Sequence, residues 1–202
     1  MPVCKDREYR NLAQPLCCRA KEKKEDEQQD SYIVEGYATT FNVPYLMYED
    51  YDGTKYYEEI DRHALDNADM SDVIMQYDHS GRVYARQSND TLKLEMDDNG
   101  LKVTADLSKT ELARGLYEDI AAGMITKMSW AFVVTKDAYD QKTRTRTILE
   151  VKKVYDVSAV SIPANDDTNI AARNYVNGRR ELEQREQLAK RIAKLKIDTL
   201  DI

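Results

Sequence analysis

A serine, a histidine and a carboxylate are the residues of this chain whose types and surroundings could do chemistry. Ser129 is one of eight serines. It sits in Lys127-Met128-Ser129-Trp130-Ala131-Phe132, where Met128, Trp130 and Phe132 share one face of an extended run and Ser129 takes the other. His79 follows the apolar run Val73-Ile74-Met75 and precedes Gly81, which places it at a strand end with a tight turn after it. Asp156 interrupts Val154-Tyr155-Asp156-Val157-Ser158-Ala159-Val160-Ser161-Ile162. An ionised carboxylate in an apolar strand is costly unless it is paired or hydrogen-bonded, and an imidazole N–H is one such partner. A serine hydroxyl is a weak nucleophile near neutral pH and needs an adjacent base. A neutral imidazole takes its proton, and a carboxylate holds the imidazole tautomer and stabilises the imidazolium. Together the three propose acyl transfer by a Ser/His/acid hydrolase.

Each of them also has an ordinary reading. Ser129 fits a small polar residue on the solvated face of a strand, His79 a surface turn, and Asp156 an edge strand facing water. Glu150 is a competing acid, but it sits beside Lys152 and Lys153, where a solvated ion pair accounts for it. His63, in Ile60-Asp61-Arg62-His63-Ala64-Leu65, reads as an exposed helix residue. No Gly-x-Ser-x-Gly elbow is present, which argues against an α/β-hydrolase, and there is no phosphate loop and no His-Glu-x-x-His helix.

Composition narrows the classes further. The 202 residues carry 33% charged side chains and a net charge of −7. That charged share is above the usual globular value, so part of the chain is expected to be a solvated helix or tail. By segment, residues 1–30 sum to zero, 31–174 to −9 and 175–202 to +2. An acidic central domain is a poor nucleic-acid surface, because phosphate binding needs clustered Lys and Arg. No run approaches the roughly 18 apolar residues of a membrane span, and the opening residues are charged from Lys5 onward, with no apolar signal-peptide core. Cys4, Cys17 and Cys18 match no zinc spacing and read as reduced cytosolic thiols. The two histidines leave little for a metal site, so no metal and no cofactor is expected.

The elements that must position these groups are mostly strands. Residues 19–30 are nearly all charged or amide and read as a solvated leader. Tyr32, Ile33, Val34, Tyr37 and Phe41 form a first strand. Residues 45–57 read as a Tyr-rich loop, and 59–69 as a short helix. Strands 83–87 and 92–96 flank a Ser88-Asn89-Asp90 turn, and Asp97-Asp98-Asn99-Gly100 is a hairpin signal, with Asn-Gly expected at positive φ. Leu92, Leu94 and Met96, then Leu101, Val103, Ala105 and Leu107, alternate as half-buried strands do. Residues 110–122 read as a helix capped by Ser108 or Thr110, with Gly123 closing it. Strands follow over 126–135, 144–151 and 154–162. Residues 179–200 carry Leu182, Leu188, Ile192, Leu195 and Ile197 amid alternating charges, which suggests an amphipathic helix after an Asn177-Gly178 hinge. It is too short to secure a coiled coil.

In order and spacing these motifs resemble one family. They are Ile33-Val34-Glu35-Gly36-Tyr37-Ala38, Tyr77-Asp78-His79, Asp98-Asn99-Gly100-Leu101, the helix ending at Gly123, Met128-Ser129-Trp130-Ala131-Phe132, and residues 156–165 from Asp156-Val157-Ser158 to Pro163-Ala164-Asn165. The chain resembles the tailed-phage prohead maturation serine proteases that process HK97-type capsids, over about 31–174. The resemblance implies a mainly β fold, a closed or nearly closed antiparallel β-barrel with flanking helices, here followed by the C-terminal amphipathic helix. It divides the chain into a charged leader (1–30), a protease domain (31–174) and the C-terminal helix (175–202). It carries the nucleophile onto Ser129, the base onto His79 and the acid onto Asp156, where many relatives have Glu. It puts the oxyanion donors at the backbone N–H groups near Ala164 and Asn165. Implied partners are the capsid precursor with its scaffolding segment and the protease itself, through self-cleavage and as a dimer, with no nucleic acid and no membrane. The implied location is inside the prohead, in the host cytoplasm. Two other readings stand beside it: a catalytically silent assembly or scaffold protein on the same barrel, and an ordinary structural β domain.

Overall fold

The computed structural model describes residues 7–18, 32–161 and 166–198. Its centre is a long antiparallel hairpin of two strands, β10 (Lys127–Asp140) and β11 (Thr145–Val160). The sequence expected two runs where β11 is one strand. The register shifts at Lys152 and Tyr155 absorb the polar interruption as bulges, so the strand bends without ending. Outside β10 runs β1 (Glu8–Pro15), antiparallel. On its other side β11 pairs in parallel with β5 (Lys55–Ile60) near its start and β6 (Ile74–Tyr77) near its end. Each of these opens a hairpin, with β4 (Tyr45–Glu49) on β5 and β7 (Ser80–Arg86) on β6. A second, four-stranded sheet has the order β2 (Cys17–Cys18), β3 (Ile33–Thr40), β9 (Gly100–Asp106), β8 (Leu92–Met96). Two helices complete the fold, α1 (Glu111–Ala121) and α2 (Asp166–Asp198). No described helix is long and apolar enough to cross a membrane.

The expectation of a closed or nearly closed antiparallel barrel is overturned. The ladders form two separate sheets, ending on β1 and β4 in one and on β2 and β8 in the other. Parallel pairing on β11 makes the larger sheet branch instead of curling shut. Between β1 and β2 the chain leaves one ladder for the other at Leu16, whose N–H bonds Thr126 C=O.

The apolar faces explain the packing. Val34, Ala38, Leu101, Val103 and Ala105 of the small sheet meet Met128, Trp130, Phe132, Val157 and Ala159 of the large one in a common core. Ala113, Leu116 and Ile120 of α1 join it at helical spacing. The Thr110 hydroxyl caps α1 by accepting the Ala113 N–H at 3.1 Å, and Gly123 leaves it at φ 72°. The β8–β9 hairpin falls where Asn-Gly signals it, but Asn99 and Gly100 keep negative or extended φ. The Asp97 carboxylate accepts both their N–H groups, and Gly100 is required because a Cβ there would lie 2.0 Å from Thr39 O. Residues 45–57 form the β4–β5 hairpin instead of a loop, and 59–69 finish β5 and turn instead of forming a helix.

Residues 8–18, expected in the leader, reach into both sheets; residues 1–6 and 19–30 of that leader fall outside the described residues. What holds β1 is a buried charge cluster. Arg10 Nε donates to Glu58 Oε1 at 2.5 Å and Nη2 to Glu8 Oε2 at 2.6 Å. Arg146 donates to Glu8 at 2.6 and 3.0 Å, to Glu58 at 3.0 Å and to Asp137 at 2.8 Å. Tyr45 O–H donates to Glu58 at 2.5 Å. Burial pushes the Glu58 carboxyl up, but the two guanidiniums outweigh it and hold the group below its ordinary value. A depressed carboxyl stabilises the fold above its unfolded value and loses that contribution as pH falls through the folded one. Stability is therefore expected to drop below about pH 4.3, and Glu58→Gln, less stable at neutral pH, should show a shallower acid slope in urea titrations.

The amphipathic helix starts earlier than the sequence implied and runs through Asn177-Gly178 without a hinge. Ala172, Tyr175 and Val176 are buried against Met47 and Tyr56, and Arg180 bonds Asp50 and the Tyr56 hydroxyl. Beyond that point Leu182, Leu188 and Ile192 are exposed. Truncation after Arg180 is expected to leave the melting temperature nearly unchanged. Truncation before Tyr175 removes two large buried side chains, worth about 2–5 kcal/mol each as a loss of packing, and should lower it sharply.

Candidate active site

One face of the large sheet brings the candidate residues together. Register sets Tyr9, Ala131, Asp156 and Ile74 in one row across β1, β10, β11 and β6. The next row holds positions Asn11, Ser129, Ser158 and Gln76. Opposed residues share a face, so Asp156 and Ser129 are diagonal neighbours on the same side. The bulge at Tyr155 sits directly before Asp156 and sets the phase that turns its carboxylate to this face.

His79 arrives from the β6–β7 hairpin. Its two-residue turn is Asp78-His79, with φ 47° and 55°. Positive φ at both central residues is the tight-hairpin geometry, which Asp and His tolerate better than most side chains. The turn is tied to the end of β11: Asp78 N–H donates to Ala159 C=O at 3.0 Å, and the Asp78 carboxylate accepts from Ser161 N–H at 3.0 Å and Ser161 Oγ at 2.8 Å.

The imidazole spans the diagonal. His79 Nδ1 lies 2.5 Å from Asp156 Oδ1, and Nε2 lies 2.6 Å from Ser129 Oγ. An ionised carboxylate only accepts, so Nδ1 carries the proton and Nε2 accepts from the serine hydroxyl. Ser129 is 0% exposed and Asp156 2%. The reading of a solvated face for Ser129 therefore does not hold: β10 is an inner strand between β1 and β11, and the hydroxyl meets the His79 imidazole. The Tyr9 ring packs edge-on against the imidazole, with centroids 4.7 Å apart. Arg7, two residues earlier on the same chain face, lies over the Tyr155 ring at 3.7 Å.

The other candidates stay apart. His63 is exposed in the turns after β5 and bonds Asp66 at 2.9 Å. Glu150 is exposed on β11 opposite Lys136, and both nitrogens of His79 are already engaged. Ala164 and Asn165 lie outside the described residues. Sequence reasoning passed over Tyr9, Asp78 and Ser158. Ser158 had a signal, since it stands two residues after Asp156 on the same face of an apolar strand. Tyr9 had none, because its neighbours Arg7, Glu8 and Arg10 looked solvated.

This arrangement can deprotonate a serine hydroxyl and return the proton to a leaving group. No curated protein and no solved structure matches the chain. Its order of motifs is nevertheless matched by a family model, that of the caudovirus prohead serine proteases, over residues 19–181, and the chain belongs to that family of serine peptidases.

Proposed function

We propose that this phage capsid-maturation protease is an endopeptidase that cuts the scaffolding segment of the major capsid protein precursor, and itself, inside the prohead, with Ser129 as nucleophile, His79 as base and Asp156 as the orienting acid. The observation that carries the proposal is the continuous Ser129–His79–Asp156 hydrogen-bond chain on one sheet face. Ser129 Oγ attacks the scissile carbonyl as its proton passes to His79 Nε2. The tetrahedral intermediate collapses, the amine leaves with that proton, and an ester remains on Ser129. Water, deprotonated by the same nitrogen, then releases the acid product. Backbone N–H groups near Ala164 and Asn165 are the proposed donors to the oxyanion. A groove of about 650 Å³ lined by Tyr77, Tyr84, Leu116 and Ile125 lies between the hairpin that carries His79 and α1.

The test is to express the chain with its cognate capsid precursor, as wild type and as Ser129→Ala. Wild type should yield shortened capsid protein and Ser129→Ala none. Cleavage that persists in the variant overturns the assignment. A wild type that assembles proheads without cutting anything favours the silent-scaffold reading.

A further inference from the structure

We propose that Ser158 is a positioning residue of this site: its hydroxyl donates to Asp156 and fixes the carboxylate that orients His79. The inference rests on the assignment of Ser129, His79 and Asp156 above and adds a fourth member to it. Ser158 is 0% exposed, and its Oγ lies 2.8 Å from Asp156 Oδ1. That oxygen is the one His79 Nδ1 reaches at 2.5 Å.

Three features give the contact a directional role. A carboxylate with 2% exposure cannot rely on water, so protein donors must satisfy it. A serine hydroxyl has one proton to give, and an ionised carboxylate can only accept it. Finally, the donor is rigid. Ser158 is two residues from Asp156 on the same strand and sits in register with Ser129, so two pairs of neighbouring backbone groups define its place. A short side chain with one rotatable bond then aims the proton. With one oxygen held by two donors, the carboxylate cannot rotate about its terminal torsion, and Nδ1–H meets a fixed acceptor. An apolar residue of this size would fill the space equally well, so volume does not account for a hydroxyl at a fully buried position.

The test uses the full chain and a fluorophosphonate, which reports nucleophile activation without knowledge of the peptide substrate. Serine oxygen bonds phosphorus, fluoride leaves, and the hydroxyl proton passes to His79. Ser158→Ala is expected to lower the maximal labelling rate roughly tenfold with the half-saturating reagent concentration unchanged. Ser158→Thr should return the rate to within about twofold, and Ser158→Cys, of similar size but a weaker donor, should fall between and serve if the threonine methyl prevents folding. The His79 Nδ1–H proton resonance should move in Ser158→Ala and return with the hydroxyl. Wild-type labelling in Ser158→Ala overturns the proposal, as does slow labelling with an unmoved resonance. Ser129→Ala run in parallel separates the two levels: if it labels like wild type, the triad assignment falls first.

Discussion

Cleavage by His79→Ala is expected to fall about 10⁴-fold or more, with the protein still folded. The side chain is the sole group within hydrogen-bonding distance of Ser129 Oγ among the described contacts, at 2.6 Å, and without a base the hydroxyl has nowhere to send its proton. What remains is binding and oxyanion stabilisation, worth a residual rate but not turnover on the time scale of assembly. Asp156→Asn should lose a comparable factor for another reason. The asparagine amide can donate to Nδ1, which puts the imidazole proton on Nε2 and turns the acceptor facing Ser129 into a donor. Glu150→Gln and His63→Ala, which touch neither ring nitrogen, should stay within about twofold. Single-turnover cleavage of capsid precursor, followed by gel, measures all four. If Glu150→Gln is more damaging than Asp156→Asn, the acid has been misassigned. If His79→Ala stays within tenfold of wild type, so has the base.

The largest effect on stability is expected from Arg146→Met. The Arg146 guanidinium is 0% exposed, bonds Glu8, Glu58 and Asp137, and lies 4.2 Å over the Tyr175 ring of α2. Its removal leaves the buried Glu8 and Glu58 carboxylates to Arg10 and the Tyr45 hydroxyl, and takes away the ion pair of Asp137. Losing one partner of a buried ion pair costs about 3–5 kcal/mol, because the remaining charges cannot recover water. For a chain of this size that is a fall in melting temperature of about 6–20 °C. Adding Glu58→Gln to Arg146→Met should recover part of the loss, and the two changes should not be additive. A melting temperature within 3 °C of wild type would show that the cluster is hydrated or loosely held. The effect should reach catalysis as well. Glu8 and Arg10 anchor β1, and Tyr9 between them is the ring against His79, so activity is expected to be lost at lower temperature than global structure.

Much of the candidate site was legible because strands declare their faces. The alternation through Met128, Trp130 and Phe132 put Ser129 on the opposite side, and an acid inside Val154 to Ile162 asked for a partner. Alternation does not say what covers a face, so the burial of Ser129 was out of reach. Local turn chemistry misled in one place. Asn99-Gly100 carried the signal for a left-handed turn, but the pair with positive φ is Asp78-His79, where side-chain bonds to Ser161 supply what glycine would have supplied by permissiveness. The β4–β5 hairpin was hidden by the register shift between Leu46 and Tyr48, which breaks the period of two. Charge misled most. Glu8 and Arg10 count as solvated in any composition, and only the distant Glu58 and Arg146 reveal them as interior. The expected barrel failed for a related reason, since alternation fixes which strands are half-buried but not whether the last one returns to pair with the first.

The pairing of β1 also bears on when the enzyme comes into being. Glu8 and Arg146 are 138 residues apart. At the usual pace of synthesis, about 5–20 residues per second, the first segment waits roughly 7–28 s for its partners to leave the ribosome. During that interval β11 has not been made, so Asp156 and the surface on which it could meet His79 and Ser129 are missing. On the triad proposed above, a nascent chain is expected to gain activity only after β11 has left the ribosome, a delay that the order of translation alone enforces.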